Sequence, residues 1–387
     1  MSQKMLKIAI QQPALPQYRL SVFKKLSEVF SITVFYGSIG NLENLDTKDF
    51  KSLNSNIIRL FKDTKFELLW DNSQIRLTRT KKWDVVILSW GNRYVSLLPA
   101  LLLAKISGTS VILWGHGYSK NSGRLMTLYR NFLARFADTI LLYDTNTLNQ
   151  IKSDIQLKNK NVFAAPNAID QAPIESAKYF WKNNSKQLNE FLTKYNLQDR
   201  FQILFVSRIE RANNIEILIK ATAILKSKIP NVLSVIIGSS DNEYKAELDQ
   251  LIDELDCRQN IFILGPIYEE TELAPWFLTS NIFCYPTNIG LSLMHSLGYD
   301  LPVIIGDDLS KCNPEVYCFQ PGRNGLTFKD GDPSALAATL WDYSRDDKQQ
   351  LALSKNCAKT IKSIASLDQM VDGMSKAIIS ANKKDKK

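Results

Sequence analysis

Histidine is scarce in this chain: His116 and His295 are the only two among 387 residues. Cysteine is sparse as well. The five present (Cys257, Cys284, Cys312, Cys318, Cys357) are odd in number and nowhere show a Cys-x-x-Cys or other ligand spacing. That argues against a disulfide framework and a structural zinc site, and it favours a reducing compartment. Long apolar runs are missing too. The greasiest stretch, "VSLLPALLLAKISGTSVILWG", is broken by Pro99, Lys105 and Gly108, whereas a membrane span needs about 20 predominantly apolar residues. It reads instead as a buried helix followed by a buried strand. The opening "MSQKMLKIAIQQPALPQ" has no apolar core of signal-peptide length, so the expected location is the cytoplasm. Low-complexity sequence is confined to the terminal "KKDKK", expected to fray, and there is no internal repeat.

What is present describes an ordinary globular protein, 45% hydrophobic and 22% charged, long enough for two domains. The net charge of +9 is unevenly placed. Residues 1–170 carry 23 Lys and Arg against 12 Asp and Glu, or +11, and the remainder carries 25 against 27, or −2. Such an N-terminal half fits an anionic partner, either acidic lipid headgroups or a phosphorylated acceptor, and equally fits a solubilising surface. Nucleic acid is set aside, because the basic half lacks clustered aromatics and recognition motifs. Arg76, Arg79, Lys81 and Lys82 in "RLTRTKKW", with Arg93 after "SWGN", supply part of the excess. They either face a membrane or a diphosphate-linked lipid, or form a solvated loop.

Short runs rich in Val, Ile and Leu recur, each ending in a polar or small residue: "KIAIQQP", "ITVFYGS", "VVILSWGN", "SVILWGHG", "TILLYDT" and "VFAAPN", then "QILFVSR", "LSVIIGSS", "IFILGP", "IFCYPT" and "PVIIGDD". Continuous apolar strands suit a parallel sheet covered on both faces. Helical patterns such as "RLSVFKKLSEVF", "IEILIKATAILKSK" and "EYKAELDQLIDELD" lie between them. The alternation predicts α/β architecture with two Rossmann-like doubly wound domains, at residues 1–170 and 201–365. The polar helical stretch 171–200 reads as the connection between them. Ligands bind at the carboxyl ends of strands in such sheets, so candidate residues are sought there.

Several of those ends carry an ordered set of motifs. "TNIGLSLMHSLGYDLPVI" resembles the signature E-G-x-G-L-x-x-x-E-A-x-x-x-G-x-P-V-I of family-four retaining glycosyltransferases of the GT-B fold. "PNAID" resembles the end of that family's first domain. "FVSRIERANNIEILIKA" resembles its R-x4-K phosphate-binding segment, and "PEVYCFQPGRNGLTFKDGD" its late PE…G-x-N-G run. The departures are equally clear. The two acidic positions fall on Thr287 and His295, and the lysine falls on Asn213. "QQPALPQYR" replaces the glycine-rich N-terminal loop, and Asp300 stands where glycine is usual, although Asp tolerates left-handed backbone. The chain is most similar to a bacterial surface-polysaccharide subset with His at the second acidic position.

The resemblance implies a role for each of several residues. His295 would accept a ribose hydroxyl through one ring nitrogen while the other donates, and otherwise it is a helix histidine satisfied by a carbonyl. Arg208, with Arg211 as a substitute for the lost lysine, would hold the departing diphosphate. The amides of Gly290, Leu291 and Ser292, at a helix start, would hold the same anion. The backbone near Ile267 would face the base, and Glu315 the sugar hydroxyls or merely a loop cap. His116, between Gly115 and Gly117, would border the donor sugar and, as an imidazole, would help take up the acceptor proton. Tyr18, Arg19 and Arg93 would line the acceptor side. A helix over 366–387 would pack back towards the N-terminal domain, and both histidines would face one cleft. No metal or other cofactor is required, because side chains and helix amides take the ion's place. The implied activity is transfer of a sugar, with retention, from a nucleotide-sugar donor to a saccharide or polyprenyl-diphosphate-linked acceptor, with peripheral contact to an acidic membrane surface. The alternatives are a catalytically weak or inactive glycosyltransferase-like subunit and a GT-B-fold nucleotide-sugar epimerase; the missing carboxylates count against the epimerase.

Overall fold

The computed structural model describes residues 5–39, 44–55, 57–60, 68–117 and 123–382. The terminal "KKDKK" lies outside the described residues. Two compact units are formed, one from residues 1–169 with 367–387 and the other from 170–366.

Unit one is built on a seven-stranded sheet. Its strands are β1 (Lys7–Gln12), β2 (Ser31–Tyr36), β3 (Lys51–Asn54), β6 (Val85–Ser89), β7 (Ser110–Gly115), β8 (Thr139–Leu142) and β9 (Asn161–Ala164). The order is β3-β2-β1-β6-β7-β8-β9, and every pairing is parallel. The hairpin β4 (Ile57–Leu60) and β5 (Leu68–Asp71) is antiparallel and separate. Helices α1 (Gln17–Ser27), α2 (Asn72–Thr78), α3 (Leu97–Ser107), α4 (Arg124–Phe136) and α5 (Thr145–Ser153) complete the alternation. β6, β7 and β8 are buried at every position, because helices cover both faces.

Unit two contains a six-stranded sheet: β10 (Phe201–Val206), β11 (Val232–Ile237), β12 (Ile261–Leu264), β13 (Ile282–Tyr285), β14 (Val303–Gly306) and β15 (Gly325–Phe328). The order β12-β11-β10-β13-β14-β15 is again wholly parallel. Its helices are α6 (Ala172–Asn183), α7 (Ser185–Lys194), α8 (Ile215–Leu225), α9 (Asn242–Glu254), α10 (Glu270–Thr279), α11 (Ser292–Gly298), α12 (Pro333–Ser344) and α13 (Asp347–Ile364). Residues 171–200 are thus packed structure of unit two. Trp181 donates to the Thr271 carbonyl at 2.7 Å, and Phe191 and Tyr195 meet Trp276 at 4.9 and 4.7 Å between ring centroids. The aromatic side of α6 and α7 finds its cover on α10.

The chain then returns to unit one. Helix α14 (Leu367–Ala381) buries Met370, Val371, Met374, Ala377 and Ile378 in the core that holds Ile8, Phe23, Trp114 and Leu141. A Cβ at Gly373 would come within 2.1 Å of the Ala164 carbonyl oxygen, so glycine alone permits this approach to β9. In each sheet the strand order reverses at one point, between β1 and β6 and between β10 and β13. Crevices form at such points, outside the carboxyl ends of the strands.

Candidate functional site

In unit two the reversal brings together the ends of β10 and β13. Arg208 follows β10 by two residues, over half exposed, and its guanidinium pairs with Glu210 at 2.7 Å. Five residues on, Asn213 is buried and its side-chain amide donates to the Arg208 carbonyl at 2.8 Å. The position of the family lysine therefore steadies the backbone of the strand-end arginine. Arg211 lies over the Tyr244 ring, 4.9 Å from its centroid, and forms ion pairs with Glu247 and Glu243 of α9.

After β13 the chain turns through Pro286 and the buried Thr287 to Asn288, whose φ is 65°. Asn313 fixes this turn. Its amide nitrogen donates to the Asn288 carbonyl at 3.0 Å, and its backbone donates to the Ile289 carbonyl at 2.8 Å. A Cβ on Gly290 would stand 3.2 Å from that same Asn313 nitrogen, a tight approach that Asn313 would have to yield to. Buried Glu315 follows two residues later in a short turn, Pro314–Cys318. Ser292 Oγ donates to the Val206 carbonyl at 2.9 Å and so pins the start of α11 to the end of β10. The first amide bonds of this turn run from Leu293 to Gly290 and from His295 to Leu291. The amides of Gly290, Leu291 and Ser292 lead the helix, where backbone donors and the macrodipole favour an anion.

One turn further on, His295 Nε2 lies 2.9 Å from Glu270 Oε1, and the Tyr299 hydroxyl donates to the same oxygen. The imidazole is 4.7 Å from the Phe277 ring and 5.7 Å from that of Tyr299. Burial pushes the Glu270 carboxyl up, but the bonds from His295 and Tyr299 outweigh it and hold the group below its usual range. The same carboxylate, after burial, drives the Tyr299 hydroxyl up. Glu270 opens α10, and half-buried Ile267 precedes it by three residues in the loop after β12. Nothing in the sequence signals this pairing, because "YEETEL" reads as an acidic helix start. Asp300, in the glycine position, has φ 61° and pairs with Lys178 of α6 at 2.7 Å.

In unit one, exposed His116 follows β7 and stacks on Tyr143, 4.6 Å between centroids. Arg19, near the start of α1, is 4% exposed and carries its guanidinium over Tyr143, Trp114 and Tyr18 at 5.1, 4.6 and 5.1 Å. Arg19 and His116 thus both meet Tyr143, and the buried Arg19 also lies over Tyr18. Exposed Arg93 lies in the loop after β6. Arg130 of α4, buried and unmarked in the sequence, donates to Asn92 Oδ1 at 3.3 Å and to the Gly117 carbonyl, tying the loops that carry Arg93 and His116. Beneath them, buried Gln11 donates to Asp71 at 2.9 Å and accepts from the Ser89 amide at 2.9 Å. Among the described residues no helix is long and apolar enough to cross a membrane.

Residues 189–360, all within unit two, match the family described as Glycosyl transferases group 1. An uncharacterized glycosyltransferase of Methanocaldococcus jannaschii is 25% identical over 68% of this chain and 66% of its own length. A D-inositol 3-phosphate glycosyltransferase of Paenarthrobacter aurescens is 26% identical over 40% of this chain. The chain spans about two thirds of the first of these and 39% of the second. Among solved structures, a glycosyltransferase of Rickettsia africae superposes with a TM-score of 0.73 at 15% identity, covering 98% of this chain and 99% of that one. Anabaena HepE in complex with UDP gives 0.72 at 13% identity, covering 97% and 100%, and HepE is also known with UDP-glucose. These structures show the GT-B fold, and the match to the glycosyltransferase group lies in unit two.

Proposed function

We propose that the protein is a retaining glycosyltransferase that moves a sugar from a nucleotide-diphosphate sugar to a saccharide or lipid-linked saccharide acceptor in surface-polysaccharide synthesis. One observation carries the reading: the Ser292–Val206 bond joins the helix start at Gly290–Ser292 to the strand end bearing Arg208. A guanidinium and three amide donors then belong to one anion-holding corner. Departure of the nucleoside diphosphate leaves an oxocarbenium-like centre, and the corner stabilises the charge that builds on the leaving oxygen. The acceptor hydroxyl attacks from the face that the diphosphate leaves. His116 borders the sugar and assists transfer of the acceptor proton. Arg211 and Glu315 support the donor side, and the backbone near Ile267 the base. Tyr18, Arg19 and Arg93 form the acceptor side, with Arg19 acting through Tyr143 rather than by direct contact. The basic excess of the N-terminal half attracts a diphosphate-bearing acceptor at an acidic membrane surface.

One observation favours a second reading, a catalytically weak subunit. Arg208 and Arg211 are both paired with carboxylates, and Asn213 faces inward. The experiment that separates the two uses purified protein with a panel of nucleotide-sugars, beginning with UDP-sugars in view of HepE. Nucleotide release is followed with and without membrane extract. Release that depends on the extract and falls at least about a hundredfold in His116→Ala, the low end of the range for one positioned proton-transfer group, supports transfer. Absence of release from every donor tested supports the weak subunit.

A further inference from the structure

Thr287 and His295 stand at the two acidic positions of the glycosyltransferase motif, so neither position carries a carboxylate. Helix α10 brings one to the second of them. Glu270, 25 residues upstream, sets Oε1 at 2.9 Å from His295 Nε2, and the two side chains are only 25% and 20% exposed. Because the same oxygen accepts from the Tyr299 hydroxyl, an ionised Glu270 can only accept, and Nε2 must carry the proton. Phe277 and Tyr299 border the ring, and turning it over within that slot would put Cε1 in place of Nε2 and lose the bond to Glu270. In the neutral ring the other nitrogen, Nδ1, is then a bare acceptor, and no described residue partners it.

We infer that Glu270 is a positioning residue for donor recognition: it fixes the tautomer of His295 so that Nδ1 accepts a hydrogen bond from a ribose hydroxyl of the nucleotide. This rests on the glycosyltransferase reading proposed above and on the ribose-facing role that the motif resemblance implies for His295. The negative charge of the motif is kept but moved one ring-length back. A carboxylate on α11 would touch the ribose directly and stand nearer the diphosphate, whereas here a neutral acceptor meets the hydroxyl.

Two measurements test the inference on the full chain. With two histidines in the molecule, a spectrum of protein labelled with 15N-histidine contains two imidazoles, and His116→Ala assigns them. The expected result is an Nε2–H tautomer for His295, with the Nδ1 resonance moving on addition of nucleotide. An Nδ1–H tautomer, or no movement at saturation, overturns the inference without any variant of the pair. Calorimetry with UDP, GDP and ADP identifies the preferred nucleotide, which is then compared with its 2′-deoxy and 3′-deoxy forms. Loss of the bonded hydroxyl should weaken binding about tenfold, a hydrogen bond's usual worth. Glu270→Gln should weaken the ribonucleotide alone, so that discrimination collapses. The double variant Glu270→Gln with His295→Glu should restore it. Equal weakening of ribo and deoxy forms by Glu270→Gln reduces Glu270 to a structural contact and overturns the inference. If wild-type protein binds none of the three nucleotides, the glycosyltransferase reading falls and the inference with it.

Discussion

A carboxamide cannot neutralise a diphosphate, and Asn213 does not point towards one. It is buried and donates to the Arg208 carbonyl at 2.8 Å. Asn213→Ala would leave that carbonyl without its partner and should lower stability by about 1–3 kcal/mol in urea denaturation. An unchanged midpoint would show that the bond contributes nothing. Arg19 works through its flat guanidinium, which faces three rings. Arg19→Lys keeps the charge but loses the stacking, and a loss of about 1–2 kcal/mol is expected. Residues that follow a strand were legible from the sequence, because an apolar run stops visibly at Arg208, His116 or the turn before Gly290. Glu270 and Arg130 were not. Each acts across elements distant in sequence, and only the packing of α10 on α11, or of α4 against the two loops, reveals its target.

Elements built on short, continuous apolar runs could be read directly, and all eleven such runs are strands. The strands that escaped notice are β3, β4, β5 and β15. β3 and β4 are exposed or half-exposed along their length, so they carry no hydrophobic signature to read, and the four residues of β15 sit inside a motif that drew attention to its glycines. Helix α2 begins on a carboxylate of unusual character. Burial raises the Asp71 pKa above its ordinary 3.8, although bonds from Ser73 and Gln11 and the nearby Arg76 oppose the rise. A raised folded-state value makes this group's contribution largest below the unfolded value and lost as pH rises through the folded one. Denaturation of Asp71→Asn and wild type between pH 3 and 7, about the range in which carboxylates titrate, should therefore favour the variant increasingly as pH rises. Glu270 has the opposite sign. Its lowered value stabilises above the ordinary 4.5, and that contribution disappears as pH falls through the folded value. Glu270→Gln should accordingly flatten the acid limb of the stability profile.

At the scale of the whole molecule, two doubly wound units and their helices account for nearly every described residue, and the repeated strand–helix alternation made that architecture readable. The polar stretch 171–200 looked like a connection because it contains no strand. Its aromatic residues, Trp181, Phe191 and Tyr195, explain why it packs on unit two. Helix α14 belongs to unit one although it is last in the chain. Truncation after Ser366 should therefore leave amides of residues 170–366 protected from hydrogen exchange while those of residues 5–169 lose protection. Equal loss in both units would contradict the division.

That return of the chain has a consequence for biosynthesis. A ribosome working from the amino terminus emits the strands of unit one's sheet early, yet Met370, Met374 and Ile378, which seal its core, emerge after all of unit two. The segment made second can close while the segment made first still waits for its last helix. During translation the basic half is thus the longer exposed, and its apolar sheet is the surface that a nascent-chain chaperone would meet.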